Sequence, residues 1–470
     1  MLHRRLSALV FLLAVVAAVD RRADADDAVP AAPPAAAIPP AAPTESAVDR
    51  KPKRPKPACV DVPVDLALWS SVSINALYPP CARNLFGLAL AMGRAGELHG
   101  LQLGVLGQSA EYGVRGVQIA GLLVASGEDT VGVQIAGLIA AAGDSFTGLQ
   151  LSGLAAAGNR ARGGQLGVLG VASGNAMAGL QAGGLFAASG NAMTGLQAGG
   201  LFAASGNAMT GLQAGGLFAA SGNAMTGLQI GGLFAASGEL AGLQVGVGGS
   251  LTGGGRGVQL AGGMTRAQGE LTGAQIAIVN IGRTVNGAQI GLVNIAREVH
   301  GLQLGLVNVA DRADAPVGLV SWMRDGDRGI EVWGGEAVPV AAAARFGTTR
   351  VYSLVGLGAD PLRAHRTWGP LGGAGVRVPV GPVAIHADAL GHAVVLGGFD
   401  RAALLAQARL RLVVPVGAGL AVFAGPTWNV FVSGDDAAAD LPLGLDQVGH
   451  HGGTVIRQWP GLTAGAALSY

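Results

Sequence analysis

Charge is the first scarcity. Asp, Glu, Lys and Arg make up 13% of the 470 residues, about half the usual share, and the net charge is +1. A balance so near zero gives no electrostatic footprint for nucleic acid, so no nucleic-acid partner is expected. Aromatics are 4% and the cysteines number two, which excludes a disulfide-dense scaffold and a four-cysteine zinc site. Catalytic signatures are missing as well. His99, His300, His365, His386, His392, His450 and His451 fall in no HExxH spacing, and there is no Gly-x-Ser-x-Gly elbow or Walker loop. His386 and Asp388 share one strand parity and are read as lining a lumen, without a nucleophile beside them. His450 and His451, with Asp435, Asp436, Asp440 and Asp446 upstream, carry metal-ligand residue types. A solvated acidic loop accounts for them with less. The sequence therefore assigns no catalytic residue, no cofactor and no metal, and a non-enzymatic protein is expected.

What is abundant is glycine, 80 residues, in a chain that is 50% hydrophobic. Low charge with much Gly, Ala, Leu and Val is the reverse of a solvated disordered chain. It describes tight backbone packing or a surface that faces lipid. The chain starts with the basic His3, Arg4 and Arg5. The apolar run Leu6 to Val19 has the length of a secretory h-region and is too short to span a bilayer as a helix. Residues 1–18 are expected to be a signal peptide. Residues 19–57 read as a disordered tether, with Ala-Pro runs leading into Arg50-Lys51-Pro52-Lys53-Arg54-Pro55-Lys56-Pro57. The basic run is a possible contact for cell-wall or surface partners, although a solvated tether is the simpler reading. Residues 58–99 hold Cys59 and Cys81, which are expected to form a disulfide after export to an oxidising compartment.

From Gly100 to about residue 315 the chain is periodic. Glutamines recur at 102, 118, 134, 150, 165, 181, 197, 213, 229, 244, 259, 275, 289 and 303, mostly 16 residues apart and later 14. Four consecutive copies, from Asn175, Asn191, Asn207 and Asn223, read NAM(A/T)GLQ(A/I)GGLFAASG. A fixed short period means one small unit stacked on itself. Between Thr194 and Ser205 the residues alternate with period two, and Ser205-Gly206-Asn207 is turn chemistry. The unit is read as one strand and one turn. From residue 316 to 470 the repeats fade into about eight longer strands joined by Gly/Pro turns. In Ala406 to Val414, Gln407, Arg409 and Arg411 point one way and Leu410, Leu412 and Val414 the other.

The fold class is all-β, and two stackings compete. From Gly163 to Gly238 there is no charged side chain. That favours an outer-membrane-type antiparallel β-barrel whose strands are the repeats, with the outer-membrane lipid bilayer as partner. The alternative is a parallel β-solenoid of repeats followed by a smaller antiparallel C-terminal barrel. Asn294 sits on the opposite parity to Gln289, so no straight strand keeps both off one face.

Gly287-Ala-Gln-Ile-Gly-Leu-Val-Asn-Ile-Ala296 and Gly301-Leu-Gln-Leu-Gly-Leu-Val-Asn-Val-Ala310, followed by Pro316-Val-Gly-Leu-Val320, resemble the surface-repeat family of bacterial envelope proteins. The resemblance covers about residues 85 to 470. The central units depart from it, with Phe-Ala-Ala-Ser where Val-Asn-Ile-Ala would stand. It implies an envelope location and no known reaction. The expectation is an exported, structural or pore-like protein of the outer membrane or cell surface. The alternative is a surface solenoid for adhesion or envelope scaffolding.

Overall fold

The computed structural model describes residues 55–469 apart from 79, 158, 362–366, 396–401, 435–446 and 452–453. The expected signal peptide, nearly all of the tether, and the Asp435, Asp436, Asp440 and Asp446 loop lie outside the described residues. The side chains of His450 and His451 do too.

The repeats form the solenoid, not barrel strands. Their ladders are parallel and identical residues stand in register: Met193 pairs with Met209, Gln197 with Gln213, and Phe202 with Phe218. An antiparallel barrel needs alternating strand directions, and this register excludes them. Parallel pairing begins at Val60–Trp69 and continues to Val320–Met323, about 15 turns in all. The disulfide between Cys59 and Cys81 staples the first two turns, because Val60 and Ala82, the next residues, are ladder partners.

Each unit makes a closed coil where the period-two reading expected one straight strand. In the coil around Gln197, the strand Ala192–Gly199 bends at Gly195, turns a corner at Gly200 and Leu201, and returns through Phe202–Ser205. Gly195 has φ 118°, and a Cβ there would lie 2.2 Å from the Gly179 oxygen of the coil before. That position is therefore glycine in every repeat for a steric reason. The corners also explain the two periods. Going from 16 to 14 residues removes one residue from each of two corners. The removal shifts parity, so that Gln289 and Asn294 both face inward and are fully buried.

Because coils contact only their neighbours, deleting residues 191–206 should remove one coil and leave a folded protein. Deleting 191–222 should behave likewise. Circular dichroism and folded yield should be comparable for both. Collapse of the single deletion with survival of the double would restore the antiparallel reading.

The C-terminal third is a closed antiparallel barrel of eight strands: Asp327–Gly335, Val340–Gly347, Val351–Asp360, Thr367–Val380, Val383–Val395, Ala402–Gly417, Leu420–Ser433 and Thr454–Ser469. Closure comes from the last strand pairing with the first, Val332 opposite Ala466. The short strand Gln447–His451 extends the wall beside Thr454–Ser469. The last solenoid coil packs on the outside of this wall. Trp322 lies against Phe346 with ring centroids 5.7 Å apart, and Arg328 covers the indole at 4.2 Å.

Candidate functional site

Two polar cores run through the molecule. The first is the interior of the solenoid. All the repeat glutamines from Gln102 to Gln303 are buried. From Gln118 onward each Nε2 donates to the Oε1 of the glutamine one coil earlier, as from Gln197 to Gln181 and from Gln213 to Gln197, both at 2.8 Å. In most coils the second Nε2 hydrogen crosses the interior, as from Gln197 to the Ala204 carbonyl at 3.0 Å. Both donors of the amide are then used, as a buried amide requires. Met177, Met193, Met209 and Met225 stack beside this ladder in one buried column.

In the shorter coils a second ladder appears. Asn280 donates to Asn294 at 2.8 Å, Asn294 to Asn308 at 2.8 Å, and Asn308 to Ser321 at 3.3 Å. Ser353, pointing out from the barrel wall, completes the series with a 3.0 Å bond to Ser321. The polar column thus ends on the barrel. At the other end Asp65 is buried and accepts the Asn75 N–H at 3.0 Å. Burial raises its pKa, opposed by the backbone donors of Asn75 and Ile74.

The second core is the barrel lumen. Asp327, Glu331, Arg345, Tyr352, Arg377, His386, Asp388, Arg409 and Arg411 come from six of the eight strands and meet inside. Arg411 is the hub. Its Nε donates to Asp388 at 2.7 Å and its Nη1 to Glu331 at 2.8 Å, and it lies 4.3 Å above the Phe423 ring. Arg345 takes the other Glu331 oxygen at 2.8 Å and Ser469 at 2.6 Å. Arg409 is held by Asp388 at 3.3 Å and by the Trp333 face at 4.4 Å.

His386 and Asp388 do share the lumen, as their parity predicts. Arg377 Nε donates to His386 Nε2 at 3.1 Å, which assigns the imidazole proton to Nδ1. The hydroxyl beside that Nδ1 is the phenol of Tyr352 at 3.2 Å, which in turn donates to Asp388. Each group is thereby committed to an ion pair or a structural hydrogen bond. Among the described residues no cluster of three or more His, Cys, Asp or Glu is placed to hold a metal.

Sequence reading found the inward parity of Gln407, Arg409 and Arg411 and of His386 and Asp388. It missed Asp327, Glu331, Arg345, Tyr352 and Arg377. Their only signal was an isolated polar residue at inward parity in an otherwise apolar strand, such as Arg345 among Ala341, Ala342, Ala343 and Ala344.

Outside, the pattern inverts. Leu410 and Leu412 are 52% and 50% exposed, while Arg409 and Arg411 are 2% and 1%. Ile330, Val332, Leu357, Val376, Val378, Leu404, Val422, Trp428 and Leu468 are exposed apolar residues of the same wall. No family model, curated protein or solved structure matches the chain.

Proposed function

We propose that the chain is a non-enzymatic envelope protein whose C-terminal barrel sits in an outer-membrane bilayer and anchors the solenoid as a scaffold. The observation that carries this is the inside-out wall, charged within and apolar without. A barrel in water would bury the leucines and expose the arginines. A barrel in lipid requires the opposite alternation and a closed ladder with no free edge. Anchorage is favoured over an open pore because the lumen is crossed by the Arg411, Glu331 and Asp388 network.

Loop lengths support an orientation. The end at which the chain enters the barrel from the solenoid, at Asp327, carries the connections 348–350, 381–382 and 418–419. The opposite end carries 336–339, 361–366, 396–401 and 434–446. Bacterial outer-membrane barrels keep short turns on the periplasmic side, so this reading puts the solenoid in the periplasm. The surface-adhesion reading needs the reverse.

Leu410→Arg tests the lipid face. In a bilayer-embedded barrel it should destabilise by about 2–4 kcal/mol, read by urea titration of protein folded into phosphatidylcholine vesicles. An unchanged or raised stability would count against a lipid-facing wall.

A further inference from the structure

The solenoid wears its apolar residues outside, and they are organised. At one corner Leu185, Leu201, Leu217 and Leu233 are exposed in a column, and beside them Phe186, Phe202 and Phe218 are exposed too. The rings of Phe202 and Phe218 stack at 5.6 Å, and those of Phe218 and Phe234 at 5.9 Å. On the other side of the leucine column runs a groove of 1020 Å³. Its floor is Ala182, Ala198 and Ala214 with the glycine pairs that follow them. In the coils before and after, the same column holds Leu151, Leu166 and Ile230. Those side chains narrow the groove where it runs on towards Ile135 on one side and Gly232 on the other. A ridge and a groove therefore lie side by side on the same coils.

We propose that two copies of this chain pack solenoid against solenoid, the phenylalanine ridge of each seated in the alanine groove of the other. Three observations select a second copy as the occupant. The ridge and groove share one pitch, the coil step, so a ring that fits one site fits its neighbours. A partner with a different repeat would lose register within a few coils. Each copy carries both halves of the contact, which is the requirement for a closed two-fold interface. The face is also uncharged from Gly163 to Gly238, so two copies meet without repulsion and without burying an unpaired ion.

The area suffices. The exposed corner continues through Val105, Leu138, Val168, Val247, Ile278, Leu292, Leu306 and Leu319. At about 4.8 Å per coil and roughly 15 Å across, this strip offers on the order of 1000 Å² per copy. A standard stable interface needs about 800 Å² per partner. The proposal does not depend on where the barrel resides.

The test fills the groove without disturbing the fold. Ala182→Leu, Ala198→Leu and Ala214→Leu together install the residue type that Leu151 and Leu166 already place in that column. The full chain, purified in detergent, is weighed by sedimentation with the detergent contribution subtracted. The wild type should run as a dimer at micromolar concentration. The filled variant should run as a monomer, with at least a tenfold weaker dissociation constant and an unchanged circular dichroism spectrum. Monomeric wild type would overturn the proposal, and so would a filled variant that dimerises as well as wild type. Stoichiometric lipid extracted from the wild type and absent from the filled variant would also overturn it, since the groove would then hold acyl chains. If the filled variant loses its spectrum, Phe202→Ser with Phe218→Ser replaces it, with the same expected monomer and the same overturning outcomes.

Discussion

Arg411→Leu should be among the most damaging single substitutions in the barrel. The guanidinium satisfies Asp388 and Glu331 at once, at 2.7 and 2.8 Å, and both carboxylates are buried. Leucine has a suitable volume and no charge, so two anions lose their shared partner inside a lumen that cannot hydrate them. Breaking a buried ion pair from one side costs about 3–5 kcal/mol. Arg345 and Arg409 remain, and each can take part of the load, so the lower half of that range is expected. The thermal unfolding transition of the barrel should move to markedly lower temperature. Arg411→Lys keeps the charge but loses the fork that reaches both acids, and should fall between wild type and leucine. An unshifted transition for Arg411→Leu would mean that the network does not hold the barrel together.

Gly211→Val should be comparably severe in the solenoid, for a backbone reason. Gly211 has φ 119°, and a Cβ there would sit 2.2 Å from the Gly195 oxygen. A β-branched residue in that conformation is strained by about 1–3 kcal/mol. The clash with fixed backbone adds a similar amount by prising neighbouring coils apart. The neighbouring exposed Thr210→Val keeps φ in the ordinary range and should cost little. Chemical denaturation of the two variants, followed by far-ultraviolet circular dichroism, should separate them by about 3 kcal/mol or more. Equal stabilities would show that the glycine column is dispensable and that the coil geometry is wrong.

The sequence made some of this legible and hid the rest for identifiable reasons. The C-terminal strands were readable because each is straight and alternates cleanly. Ala406 to Val414 lies within the observed Ala402–Gly417. The repeat period was readable because Gln returns at fixed steps. What the period could not give is the bend at Gly195 and the corner at Gly200, since a glycine in an alternating run looks the same in a straight strand as in a coil. Parity held only between the bends: Gln197, Gly199, Ala203 and Ser205 share the inside, while Gly195 and Leu201, of the same parity, are exposed. Which set faces in was not legible, because amides that are satisfied by copies of themselves one coil away behave as core, and a single unit does not show the copy.

The lumen cluster was hidden for another reason. Its pairings join residues far apart in the chain, as with Glu331 and Arg411 or Arg345 and Ser469. No local pattern encodes them before the barrel closes.

The most direct test of the account is the side of the membrane on which the solenoid lies. One epitope is inserted in the connection 434–446 and another, in a separate chain, at the solenoid corner between Gly206 and Asn207. Antibody labelling is then compared on intact and permeabilised cells. The account predicts that the 434–446 epitope is labelled on intact cells and the Gly206 epitope only after permeabilisation, with both chains in the membrane fraction. Labelling of the Gly206 epitope on intact cells would contradict the periplasmic solenoid, and recovery of both chains from the soluble fraction would contradict the membrane barrel itself.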